Sequence, residues 1–156
     1  MRIFALTLVS ALIATTVSAG SIAPREGWAV HDTKLTHAEL FDRLKAAVKA
    51  NGMIIVTRAG PTKAAASRGI TIPDNMVVGV YNNDFAVRAL SFSTAAMIEA
   101  PIRFYLTGDP DGTATLSYKT PSHVFAPYFD EGGEGLQNLA AELDAKFQAI
   151  AAAAIE

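Results

Sequence analysis

The order in which apolar residues change their spacing constrains this chain more than any other feature. Gly27 to Thr33 alternates, with Trp28 and Val30 on one side and Ala29 and His31 on the other, the period of a strand. Thr36-His37-Ala38-Glu39 is a capping box, whose hydroxyl and carboxylate satisfy free N–H groups at a helix start. Leu40, Leu44, Ala47 and Val48 then recur at helical spacing, and Asn51-Gly52 supplies a left-handed stop. Met53 to Thr57 is a continuous apolar run and predicts a buried strand. Gly60-Pro61 opens a short Ala-rich helix, Thr62 to Arg68, closed by Gly69. Met76 to Tyr81 predicts a strand with Gly79 inside it, a mark of close approach or of a bulge. Asn82-Asn83-Asp84 caps a helix from Phe85 to about Met97, which Ser91, Ser93 and Thr94 predict to be broken in its middle.

Ile102 to Thr107 and Thr113 to Lys119 read as a hairpin across Gly108-Asp109-Pro110-Asp111-Gly112. Pro121 to Phe129 reads as an aromatic loop and Glu131 to Gly135 as a flexible stretch. A last helix, Leu136 to Ile155, carries a stripe of Leu136, Leu139, Leu143, Phe147 and Ile150. The order β-α-β-α-β-α-β-β-α, with one apolar stripe per helix, predicts a two-layer α/β (α+β) sandwich. In it a small mixed or antiparallel sheet carries its helices on one face.

The N-terminus is of a different kind. Met1-Arg2 is a short positive start, Ile3 to Ile13 is almost unbroken apolar sequence, and Val17 and Ala19 stand at −3 and −1 of a cut before Gly20. That order predicts a secretory signal peptide over residues 1–19, a leader over 20–26 and a single domain over 27–156. The apolar stretch is too short for a span, which needs about 20 residues. The expected location is periplasmic or secreted, with no membrane span after cleavage. The absence of cysteine excludes disulfides, thiol catalysis and Cys-ligated metal clusters. The net charge of −2, with no Lys/Arg run, argues against nucleic acid as a partner.

Several segments together resemble the family called domain of unknown function 302. They are Thr36 to Gly52, Ala64-Ala65-Ala66-Ser67-Arg68-Gly69-Ile70 with Ile72-Pro73, and Met76 to Asn82. Further on come Glu99-Ala100-Pro101-Ile102-Arg103, Gly112, Ser117 to Pro121 and the terminal helix. The resemblance runs from about Gly27 to Ala153. It implies a compact α/β domain that pairs as a homodimer, and it implies no established activity. The family's usual Asp-His ahead of the Ala-rich helix is replaced here by Ala59-Gly60, and Asn82-Asn83 departs from its usual strand end. Roles tied to those groups have no residue to rest on in this chain.

No motif for catalysis stands out. The three histidines, His31, His37 and His123, lack the paired spacing of a helical metal site. Met53, Met76 and Met97 read as core. Ser122-His123 are neighbours without a nucleophile elbow. The candidate ligand site is Asn82, Asn83 and Asp84 at a strand end beside a helix start, with Arg88 one turn on and Arg103, Tyr105 and Tyr118 from the hairpin. Phe125, Tyr128 and Phe129 are many rings for a loop and form the candidate dimer interface. The preferred reading is a non-catalytic exported homodimer that binds a small ligand or a protein partner, with no cofactor. One alternative is a periplasmic metal- or haem-binding accessory protein using His31 or His123 with methionine. Another is an enzyme of unknown class working from Asn82, Arg103 and Tyr118.

Overall fold

The computed structural model describes residues 22–156; the segment read as a signal peptide lies outside the described residues. The elements run β1 (Trp28–Asp32), α1 (His37–Ala50), β2 (Ile54–Ala59), α2 (Thr62–Ala66), β3 (Asn75–Tyr81), α3 (Asn83–Phe92), a 3-10 turn (Ala95–Glu99), β4 (Ile102–Gly108), β5 (Ala114–Lys119), α4 (Pro121–Phe125), a second 3-10 turn (Ala126–Tyr128) and α5 (Phe129–Ile155). The strands form one sheet in the order β1-β5-β4-β3-β2, and every neighbouring pair is antiparallel. This is the α/β sandwich the spacing predicts, with the antiparallel choice made.

Register divides the sheet into two faces, because directly paired residues point the same way. Val78 pairs with Phe104 and Phe104 with Tyr118, while Leu106 pairs with Leu116. These side chains are buried with Leu40 and Leu44 of α1 and with Leu139, Leu143, Phe147 and Ile150 of α5. Helices α1, α3, α4 and α5 therefore lie on that face, and the core is the layer between. Phe104 and Phe147 stack at 4.7 Å and 13° in its middle, with the Tyr118 ring edge-on to Phe104 at 5.1 Å.

Local signals place most boundaries. The Thr36 hydroxyl accepts from the Glu39 N–H, and the Glu39 carboxylate accepts from the Thr36 N–H at 2.9 Å. α3 breaks at Ser93, which turns extended (φ −153°, ψ 120°). Its hydroxyl accepts from the Ala96 N–H at 3.0 Å, starting the 3-10 turn, and donates to Glu131 at 2.8 Å. Gly79 is required twice: a Cβ there would strike Thr57 Oγ1 and come within 2.7 Å of Pro101 Cγ. The bulge lies opposite, in β2, where the register shifts between Ile55 and Thr57.

Three readings are corrected. The run at Met53 to Thr57 is not a buried strand: β2 is an edge strand, Ile54 is 59% exposed, and Met53, just before it, is the buried residue. An apolar run is compatible with either place, and sheet order decides. Pro121 to Phe129 is not a loop. Thr120 caps α4 by accepting from the His123 N–H, Pro121 presets the first turn, and Asp144 of α5 accepts from the Ser122 N–H at 2.9 Å and from its hydroxyl. Glu131 to Gly135 lies within α5, which kinks at Gly133 (φ 59°, ψ −157°), a backbone that glycine adopts at little cost.

Candidate functional site

The sheet face away from the core carries rows of side chains fixed by register. One row holds Val77, Tyr105, Ser117 and Val30. About 7 Å along the strands, Arg103 stands beside side-chain-free Gly79, and Lys119 beside Trp28. A groove of about 370 Å³ runs here, lined by Trp28, Val77, Arg103, Tyr105 and Lys119, with Asn75, Ile102, Tyr118 and Val124 completing its wall.

Its chemistry is aromatic and cationic. The Arg25 guanidinium lies 5.2 Å from the Trp28 ring centre and the Lys119 ammonium 5.8 Å, both within cation–π range. Among the described residues neither Arg103 nor Lys119 forms an ion pair. The Asn75 side-chain amide donates to the Tyr105 hydroxyl and fixes that ring's tip. Tyr118 pairs with Phe104 and sends its ring into the core, where it is 4% exposed. Burial holds its hydroxyl above the usual tyrosine range, and the Asp144 charge adds to the shift.

The structure thus puts Arg103 and Tyr105 side by side in one groove, lets Tyr118 reach its wall only from the core side, and puts the other candidates elsewhere. Asn82 spends its side chain on structure: its oxygen accepts from the Asp84 and Phe85 N–H groups at 2.9 and 3.3 Å, and its amide donates to the Gly52 carbonyl at 2.8 Å. Asn83 and Asp84 are exposed in the first turn of α3. Arg88 forms a two-pronged pair with Glu142 of α5, at 2.8 and 2.7 Å. That hydrogen bonding raises the Arg88 pKa and lowers that of Glu142. Beside Asn82, an apolar cavity of about 40 Å³ among Met53, Phe85, Met97 and Phe147 is too small for an organic ligand.

His31 lies on the core side of β1, 6.2 Å from the Tyr118 ring, with Nε2 buried and unpartnered. His123 packs against Gly27. Among the described residues no three of His, Asp, Glu or Cys gather as a metal-holding group. Phe125 is 3% exposed and belongs to the core of its own chain, so the aromatic patch expected there is reduced to half-buried Tyr128 and Phe129. The Tyr128 hydroxyl donates to Glu99 at 2.9 Å, a bond that raises its pKa.

Sequence reasoning missed Trp28, Lys119 and Asn75. Trp28 was visible as a strand residue. What was not visible is that β1 pairs with β5, which sets Trp28 against Lys119.

The five-stranded antiparallel sheet with one helical layer defines a small two-layer α/β domain with a groove on its helix-free face. Residues 29–154 match the model of the family described as Domain of unknown function DUF302, and the chain belongs to that family. A solved structure of an uncharacterized conserved DUF302 protein from Bacillus stearothermophilus is similar in fold, with a TM-score of 0.74. It is 16% identical, and the match covers 85% of this chain and all of that one. No functionally curated protein matches the sequence. Among the described residues no helix is long and apolar enough to cross a membrane.

Proposed function

We propose that this chain is an exported, homodimeric binding domain, working by binding rather than catalysis. Its groove holds a small organic anion that carries an aromatic ring. One observation carries the ligand chemistry: Trp28 and Tyr105 share the groove with Arg103 and Lys119, two cations that lack carboxylate partners among the described residues. A ring stacks on the aromatic wall, and a carboxylate or phosphate takes the guanidinium as a two-pronged partner. Export rests on the order of residues 1–19, and pairing rests on the family resemblance.

Trp28 is the chain's single tryptophan, so its fluorescence reports on this groove alone. Phenyl phosphate should quench it saturably, more tightly than phenol or inorganic phosphate. Arg103→Gln should weaken that binding by about tenfold, the loss of roughly one charged hydrogen-bond pair. No saturable change with any of the three probes, or an unchanged affinity in Arg103→Gln, refutes the ligand assignment. Light scattering at twice the chain mass tests pairing separately.

A further inference from the structure

The other end of the same sheet face is acidic, and its polar groups do not close on themselves. Thr107, Thr115 and Asp32 form one row across β4, β5 and β1, so their side chains share a face. The Thr115 hydroxyl lies 3.1 Å from Asp32 Oδ1 and 2.8 Å from Asp109 Oδ2. A hydroxyl has one proton to give, so it satisfies one of these carboxylates and leaves the other facing an oxygen. Asp109 Oδ1 is buried with no partner. The Thr107 hydroxyl, directly across from Thr115, is also unpartnered, in a residue only 7% exposed. Among the described residues no cation pairs with Asp32 or Asp109. The hairpin turn accounts for the Asp109 backbone, which donates to the Thr113 carbonyl and accepts from the Gly112 N–H, but not for the orientation of its carboxylate.

A cation supplies what this arrangement lacks. We infer that Asp32 and Asp109, with the hydroxyl oxygens of Thr107 and Thr115, form a calcium site at this end of the sheet. An all-oxygen donor set takes a hard cation. A mixture of neutral hydroxyls and carboxylates from three strands and a turn suits the flexible, many-liganded shell of calcium better than the strict octahedron of magnesium, and water completes it. Two carboxylates place the affinity at the weak end of calcium sites, with Kd about 10⁻⁴–10⁻³ M. None of these four residues lines the aromatic groove, so the site stands or falls independently of the proposed ligand.

The test is calorimetric titration of calcium chloride into the chelator-stripped full protein, with thermal melting in calcium, magnesium and sodium chlorides of equal ionic strength. One calcium per chain is expected to bind, and about 5 mM calcium should raise Tm by several degrees, well above the effect of magnesium. Asp32→Asn and Asp109→Asn should each weaken calcium binding at least tenfold. Thr107→Val removes an unpaired buried hydroxyl, so it should fold at least as well as wild type yet lose calcium affinity. Absence of saturable calcium binding up to 10 mM overturns the site, as does wild-type affinity in Asp32→Asn and Thr107→Val. Those two variants decide the matter even if Asp109→Asn fails to fold.

Discussion

Replacing Phe147 by alanine should remove a large fraction of the stability of this domain. The ring is fully buried, stacks on Phe104 at 4.7 Å and 13°, and lies 5.6 Å from Tyr118, so one side chain joins α5 to two adjacent strands. Truncating a buried Phe to Ala costs about 3–5 kcal/mol. Two features put this site in the upper part of that range. An aromatic pair worth about 0.5–1.5 kcal/mol is lost with the ring. The vacated space also merges with the existing cavity of about 40 Å³, whose wall Phe147 forms, so the surroundings have less to collapse against. A loss of about 4 kcal/mol compares with total stabilities of about 5–15 kcal/mol for domains. With a urea m-value of about 2 kcal/mol/M, the unfolding midpoint should fall by about 2 M with m unchanged. Circular dichroism during urea unfolding reads this directly. Phe147→Leu should keep more than half of the stability and secures a measurement if the alanine variant does not fold. Benzene should raise the Tm of a folded Phe147→Ala, since an apolar cavity of that kind stays dry and accepts such a guest. A midpoint shift under about 0.7 M, equivalent to roughly 1.5 kcal/mol, refutes the packing argument.

Two further outcomes follow from single side chains. Tyr118 is held neutral by burial and by the Asp144 charge. Its pKa is raised on folding, so its contribution is fully present below the ordinary tyrosine value near 10 and is lost as pH rises through the higher folded value. Urea unfolding from pH 8 to 11.5 should show a steeper alkaline loss in wild type than in Tyr118→Phe, and parallel curves would disprove it. Gly79→Ala should cost about 1–3 kcal/mol by overpacking against Thr57 and Pro101. Adding Thr57→Ala should recover part of that cost in a double-mutant cycle; strict additivity of the two changes contradicts the close approach.

What the sequence determined by itself was mostly local. A capping box needs only Thr36 and Glu39, three residues apart, and it formed where they stand. The break at Ser93 needed only a hydroxyl able to bond a nearby N–H. The stripe of α5 from Leu136 to Ile150 is buried throughout, because a 3.6-residue period leaves one face to cover. Arg103 and Tyr105 were legible as partners because alternation on one strand puts them on one face.

Tertiary structure decided the rest, for reasons of sheet order and long-range pairing. An apolar run does not say whether its strand lies inside or at an edge, and β2 lies at the edge. The Phe125 segment became helical with help from Asp144, a residue on a different helix. Arg88 and Asn82 were drawn away from any ligand role by Glu142 and by the Gly52 carbonyl, neither adjacent in sequence. Trp28 met Lys119, and Asp32 reached the same Thr115 hydroxyl as Asp109, only because β1 pairs with β5, far along the chain. Pairing between strands that far apart is set by the energy of the closed core, which no local spacing records.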